Sequence, residues 1–503
     1  MSVLNVVSVT AYTVTVVLHA DTDRYHLSFP EKWSLNHGEQ AGVSSTVTVF
    51  IDSLLPDTRY LFQAAGEVLR FRTASCNGCV DASLFGVNET SKNNAMAFSA
   101  AIAATPEGGT LSVPKGRFLT GPIFLKSRMT LLLCKGAEIM AITDRRDWPI
   151  LPATDDSDRV VGTWEGLPEA SYASLITAIG CEQLFITGHG VVDGGGDRGD
   201  WWTWPKETRQ DARRARTLFL AHCNDVGLSG FTVQNSPSWT VHPYKCNKLS
   251  AAALNIENPA ESPNTDGFNP ESCTHVHLSG LKISVGDDCI AVKAGKRGTG
   301  TDERTNHIAP TRHLTIRNSL MLDGHGAVVM GSEMSGDIAD VSILLCEFKG
   351  TDRGLRIKTR RGRGGQVARI LMRDVKMEGV GTAVAVNAFY YCDSDGKSDA
   401  VQSRNTALLD QTTPVITDIS IENIILTGVQ HAVAALLGLP EEPLRKIRLK
   451  NISISYDLAA QPGEVLMACH VPRVLHGGIL HQFADVHVDD VLTKHQQELS
   501  SVI

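Results

Sequence analysis

Four short polar motifs interrupt an otherwise apolar stretch of this 503-residue chain: Asn264-Thr265-Asp266, Gly286-Asp287-Asp288, Gly324-His325-Gly326 and Arg356-Ile357-Lys358. Asp266 and Asp287 are 21 residues apart, and His325 and Arg356 are 31 apart. Both intervals are close to one circuit of a chain that coils back over itself. Stacked strands lie roughly 4.8 Å apart, so on successive coils the three aspartates meet on one face. Three carboxylates in contact cannot all ionise cheaply, and at least one must take a raised pKa. Such an acid can protonate a glycosidic oxygen, while an ionised neighbour activates water or attacks as a nucleophile. Arg356 and Lys358, two residues apart, share one face of a strand. Two cations beside the carboxylates suit a substrate that carries carboxylates itself, and Arg360, Arg361 and Arg363 follow closely.

Singly, each motif has a plainer reading. Asp287-Asp288 reads as a solvated turn, Asn264-Thr265-Asp266-Gly267 as an Asx turn, His325 as a loop residue between glycines, and Arg356 with Lys358 as an exposed strand face. The ordered set at coil-like intervals is what singles out a site.

The elements that must position these residues are legible as a repeat. From about residue 110 a short apolar alternation recurs, often followed by Asn or Gly and a second short strand. It occurs at Val226-Leu228-Gly230-Val233, Val276-Leu278-Gly280-Ile283, Leu314-Ile316-Asn318-Leu320, Val341-Ile343-Phe348, Ile370-Met372-Val375, Ile419-Ile421-Asn423-Ile425 and Ile447-Leu449-Asn451-Ile454. Successive starts differ by 50, 38, 27, 29, 49 and 28 residues: one coil, one coil with a long loop, or two coils. Strand repeats of this period predict an all-β fold, a parallel β-helix in which each coil buries alternate residues on its neighbours. An alanine-rich segment at 90–104 predicts a helix, started by Thr90 or Ser91, that caps the open first coil. Residues 1–75 read as short strands. Their Leu54-Leu55-Pro56-Asp57-Thr58-Arg59-Tyr60 run and closing Leu69-Arg70-Phe71-Arg72-Thr73 strand resemble a fibronectin type III domain. The expected division is a small N-terminal β-sandwich at 1–75 and a catalytic β-helix at 76–503.

Composition narrows the partners. The net charge is −8, so no global basic field favours nucleic acid, and an acidic substrate needs a local cluster of cations. The 11 cysteines are an odd number and many lie in apolar segments, which predicts free buried thiols. Cys76 and Cys79 lack the further ligands of a closed zinc site. The N-terminal segment alternates polar and apolar residues with no basic start, so neither a signal peptide nor a membrane span is expected, and a cytoplasmic location is.

The four motifs together resemble those of the polygalacturonase family of inverting glycoside hydrolases, known by NTD, DD, GHG and RIK sequences. Gly188-His189-Gly190 through Asp193-Gly194, the Asn235–Pro243 segment and Asp288-Cys289-Ile290-Ala291-Val292-Lys293 add to the resemblance, which covers roughly residues 80–460. It implies a right-handed parallel β-helix acting on a galacturonan or oligogalacturonide, with no cofactor. By the same resemblance, Asp287 is the general acid, Asp266 and Asp288 hold and activate water, and His325 tunes the acid. Arg356 and Lys358 bind a galacturonate carboxylate, and Asn264 orients Asp266 or a sugar hydroxyl. Tyr390 or Tyr391 faces the substrate, with Lys293 and His242 as further groove residues. Inversion requires the acid and base carboxyls roughly 6.5–9.5 Å apart.

The Trp201-Trp202-Thr203-Trp204 insertion, Trp164-Glu165-Gly166 and the extra N-terminal domain are most similar to bacterial exo-polygalacturonases, which block one end of the groove with loops or an added domain. The alternatives are endo action, or cleavage of rhamno- or xylogalacturonan. A calcium-dependent pectate lyase would use the aspartates as ligands and leave His325 without a task. A catalytically silent carbohydrate-binding β-helix would have no need of the aspartate triad. Oligomeric state is not legible.

Overall fold

Aliphatic residues at every second position give each strand one apolar face, which stacking removes from water. In the computed structural model, which describes residues 3–298, 305–493 and 500–502, this stacking produces a column in strict parallel register. Leu111, Leu131, Ile186, Leu228, Ala251, Leu278, Ile316, Ile343, Met372, Ile421 and Leu449 lie one above another, each at most 1% exposed. At 20–33 cal/mol per Å² of apolar area, such columns are the main favourable contribution to the fold.

Each full coil runs through a long strand, a corner, a short strand, a second corner and a third strand, as in Thr274–Ser279, Lys282–Ser284 and Asp288–Val292. Long and short strands merge into one 22-stranded sheet. The third strands form the remaining wall: a four-stranded group ending at Val241–Tyr244 and a seven-stranded group beginning at Asp288–Val292. Phe268 bridges the two groups, pairing with Val241 on one side and Ile290 on the other. The architecture is a right-handed parallel β-helix. The irregular intervals of the sequence resolve physically. The 50-residue interval holds two coils, because Leu249 stacks between Val226 and Val276. The 38- and 49-residue intervals are single coils with long outward loops.

The capping helix spans Ala95–Ala104 and buries Phe98, Ala101 and Ile102. It starts later than the sequence suggests, with Asn94 at the N-cap position rather than Thr90 or Ser91. The Asn88 carboxamide oxygen accepts the amides of Thr90 and Ser91, drawing both into a turn ahead of the helix. All eleven cysteines are free. Cys181, Cys223, Cys246 and Cys273 stand at equivalent places in successive coils, all buried.

The N-terminal residues form a three-stranded antiparallel sheet (Leu4–Val9, Val14–Leu18, Thr48–Ile51) and a four-stranded one (Gln40–Thr46, His26–Leu35, Arg59–Ala64, Glu67–Arg72). The two enclose a core that includes Val14, Val16, Leu35 and Phe62, and the Tyr60 hydroxyl accepts the Leu55 amide at 2.8 Å. This unit lies along the corner that joins long to short strands. The Thr13 and Thr187 hydroxyls meet at 2.9 Å, and Arg24 Nε donates to the Asp374 carbonyl at 2.8 Å. Asn318 Nδ2 donates to the carbonyls of Ala20 and Asp23 at 3.0 and 2.7 Å. Phe50 covers Gly230, where a Cβ would lie 2.5 Å from its ring. Only glycine permits both that approach and the corner's φ of +85°.

Candidate active site

The carboxylates come together at the second corner, one coil apart. The Gly267 amide donates to the Asp288 carbonyl at 3.0 Å, which stacks the Asp266 strand on the Asp288 strand. Thr265 ties the two corners, its hydroxyl accepting the Gly286 amide at 3.3 Å. Asp287 occupies the corner itself and accepts the Asp288 amide at 2.9 Å. The His325 amide donates to the Asp287 carbonyl, and the Asp352 amide to the Gly324 carbonyl, each at 3.0 Å. Asp287, His325 and Asp352 therefore hold the same corner in three successive coils.

Asp288, 1% exposed, accepts Lys358 Nζ at 2.7 Å and Arg356 Nη1 at 3.3 Å. The strand between them presents Gly326, where a Cβ would lie 2.4 Å from Val329 Cγ2, 3.2 Å from Asp288 Oδ1 and 3.6 Å from Arg356 Cδ. The missing side chain is the gap through which carboxylate and guanidinium meet. Asp266 accepts Asn269 Nδ2 at 2.8 Å and stands 3.8 Å from Lys293 Nζ. Lys293 also donates to Glu333 at 2.8 Å and lies 4.4 Å above the Trp239 ring.

Electrostatics divide the triad. Burial, with Asp287 nearby, holds the Asp266 carboxyl well above the ordinary carboxylate range. Burial and the adjacent Asp288 raise Asp287. Burial would raise Asp288 too, but Lys358 and Arg356 override it and bring the group to about 2. Asp288 is thus a fixed anion, while Asp266 and Asp287 hold protons above the usual range. Hydrogen bonding to Asp352 at 2.9 Å raises His325, whose positive charge faces Asp287. Of the three aspartates, Asp287 is the most accessible, half-buried at the corner.

Of the two tyrosines, Tyr390 belongs to this cluster, with Arg356 and Lys358 5.7 and 5.4 Å from its ring centre. Tyr391 turns aside and donates to Glu464 at 3.2 Å. Two expectations are corrected. Of the two roles expected for Asn264, orienting Asp266 falls to Asn269 instead, and the Asn264 Oδ1 accepts Arg214 Nη2 at 2.5 Å. His242 is not a groove residue: it is fully buried and bonded to Glu271 at 2.9 Å, because the insertion between Ala141 and Ile176, which carries Val160, covers its coil. Glu333, Asn269 and Asp352 escaped the sequence reading. Asp352 follows His325 by 27 residues, a coil interval that could have revealed it, whereas nothing local marks Glu333.

The wall on the N-terminal side of the site is closed. Phe219, His242, Tyr244 and Glu271 are at most 2% exposed. Phe219 and Tyr244 pack with Val160, which leads into a hairpin formed by Thr163–Trp164 and Leu167–Pro168, and the Tyr244 hydroxyl donates to the His307 carbonyl at 3.4 Å. Trp164 stacks on Trp239, ring centres 6.3 Å apart and planes at 9°, and Arg214 and Arg216 lie 5.4 and 5.5 Å from its ring. The hairpin tip rests on the site itself: the Gly166 carbonyl accepts the Lys296 amide at 3.0 Å, and a Cβ there would lie 2.9 Å from Glu333 Cγ. On the other side, Arg353 Nη2 and Nε donate to the Glu464 and Val465 carbonyls at 2.7 and 3.1 Å. They hold the loop whose Met467 sulfur accepts Arg356 Nη2 at 3.0 Å.

The sequence profile of Glycosyl hydrolases family 28 matches residues 110–469. A probable polygalacturonase of Vitis vinifera is 33% identical over 423 residues, covering 82% of this chain and 81% of its own. Two solved structures share the fold. The exopolygalacturonase of Thermotoga maritima has a TM-score of 0.66 at 24% identity, covering 82% of this chain and 91% of its own. The family 28 exopolygalacturonase of Yersinia enterocolitica has a TM-score of 0.72 at 17% identity, covering 99% and 97%.

Proposed function

The chain belongs to glycosyl hydrolases family 28 and hydrolyses polygalacturonate, and from that premise we propose that it acts at chain ends, by inversion. Asp287 is the general acid: half-buried, raised in pKa and reachable, it gives its proton to the glycosidic oxygen as the bond to the anomeric carbon breaks. Water attacks that carbon from the opposite face. Asp266, in its ionised form, takes the water's proton, and Asp288 stays ionised to orient the water and to hold Arg356 and Lys358. These cations receive a galacturonate carboxylate. Met467 sulfur, a weak acceptor, stands on an Arg356 donor that the carboxylate would claim. Tyr390 packs behind both cations.

The observation that carries end-wise action is the closed N-terminal wall. In an open groove the third strands before Asp288 would continue the binding surface, but Phe219, His242 and Tyr244 on those strands are buried. The test is a time course of saturated and unsaturated oligogalacturonides, resolved by mass and run with and without chelator. Saturated products shortening stepwise from one end, indifferent to chelator, are expected. Early mid-chain scission, with viscosity of polygalacturonate falling ahead of reducing-end release, would refute exo action; unsaturated, chelator-sensitive products would refute hydrolysis.

A further inference from the structure

We propose that Glu333 is a positioning residue for the hydrolytic step: it shares the Lys293 ammonium with Asp266 and so sets how strongly that cation supports the carboxylate facing the water. The inference rests on the hydrolase reading above and extends it to a buried residue that the proposed mechanism does not use.

Lys293 Nζ lies 2.8 Å from Glu333 and 3.8 Å from Asp266, and all three side chains are at most 8% exposed. Lys293 is the one cation within ion-pair distance of Asp266 among the described residues. Its position is fixed by more than charge, because the Trp239 ring lies beneath Nζ and the Gly166 hairpin tip packs on Glu333 Cγ. Glu333 Oε1 accepts the Ser332 hydroxyl at 3.2 Å. Burial opposes ionisation of Glu333, but Lys293 and then Arg363 overcome it and hold the carboxyl well below the ordinary range. Glu333 is therefore anionic throughout any working range and always draws Lys293 from Asp266.

The other charges around Asp266 make this division matter. Asp287 and Asp288 face it from the next coil and disfavour its ionisation, and Lys358 stands beyond them. Arg214 approaches from the segment that precedes the Leu218–Ala221 strand. On its far side Lys293 is faced by Glu271 and His242, and Glu333 also feels Arg363 and Lys358. With the Asp288 anion and the Asp287 carboxyl on one side, Asp266 relies on its share of Lys293.

The experiment compares Glu333→Gln, Lys293→Met and the double variant by the pH dependence of kcat/KM on trigalacturonate. Glu333→Gln keeps an acceptor and removes the charge, so Lys293 settles on Asp266 and the acidic limb moves down by about one pH unit. Lys293→Met removes the cation, and the limb moves up. The double variant follows Lys293→Met, because Glu333 acts only through the ammonium; it also supplies the Lys-free state where the stranded Glu333 charge prevents Lys293→Met from folding. A second readout needs no turnover: the Asp266 carboxyl carbon, assigned by Asp266→Asn, is titrated by 13C NMR in each protein. Opposite displacements in the two single-site states support the proposal. Displacements of one sign, or a limb and titration fixed at the wild-type values, overturn it. A wild-type protein inert on galacturonans refutes the functional reading, and the titration still decides this one.

Discussion

At the scale of single residues, the triad works because three identical side chains have unlike surroundings. Asp288 is held as an anion by Lys358 and Arg356, whereas burial holds Asp266 and Asp287 above the usual range. Asp287→Asn keeps the shape and removes the acid, so kcat should fall by about 10²–10⁴ with binding of trigalacturonate nearly unchanged, as measured by calorimetry. In the proposed mechanism turnover needs one proton on the Asp266–Asp287 pair. Since both folded values are raised, the kcat/KM optimum should lie above the ordinary carboxylate pKa of about 4. It should decline on the acid side as a second proton binds and on the alkaline side as the last one leaves. Lys358→Met would leave Asp288 buried with Arg356 alone, a loss of about 3 kcal/mol in denaturant unfolding. The aspartates and cations were legible in sequence because each sits in a contiguous motif. Asn269 and Glu333 were not, because their roles depend on which coil packs beside them.

At the scale of elements, corners and loops do what strands cannot. Gly326→Ala would drive a Cβ into Val329 and towards Asp288, at a cost of about 1–3 kcal/mol and with loss of activity measured on the folded fraction. Trp164, 3% exposed and stacked on Trp239, anchors the hairpin that closes the groove. Trp164→Ala should destabilise by about 3–5 kcal/mol and loosen the wall, giving a wider spread of product lengths from oligogalacturonides than the parent gives. The strands themselves were legible from their two-residue alternation, and their starts coincide with the stacked columns. The loops were not. A 49-residue interval reads equally as two coils or as one with an excursion, and only packing decides. His242 misled for the same reason: its motif looked like groove lining, but a distant insertion lies over it. The capping helix was visible in its alanines, while its start was set by the Asn88 carboxamide, a local competitor that composition does not reveal.

At the scale of the whole molecule, the N-terminal sheets lie along the corner between long and short strands, one corner away from the aspartates. They therefore do not bound the site, and the N-terminal wall is closed by the insertion that carries Val160 and by the loop of His307. Phe50→Glu should break the seat on Gly230 and separate unfolding into two calorimetric transitions, while the product pattern on oligogalacturonides stays as in the parent. The contacts of this unit run from the Cys79–Asp81 strand, met by Tyr12, to the coil of Asp374. A stack of coils is a mechanically anisotropic rod: pulled along its axis, the ladder bonds between coils take the load in series, and an end coil peels away first. A stiff unit bound alongside many coils carries that load in parallel with the ladder, as a splint does for a segmented column. Peeling should therefore start at the coils beyond Asp374 and halt where the splint begins, leaving a core that resists extension longer than that free end.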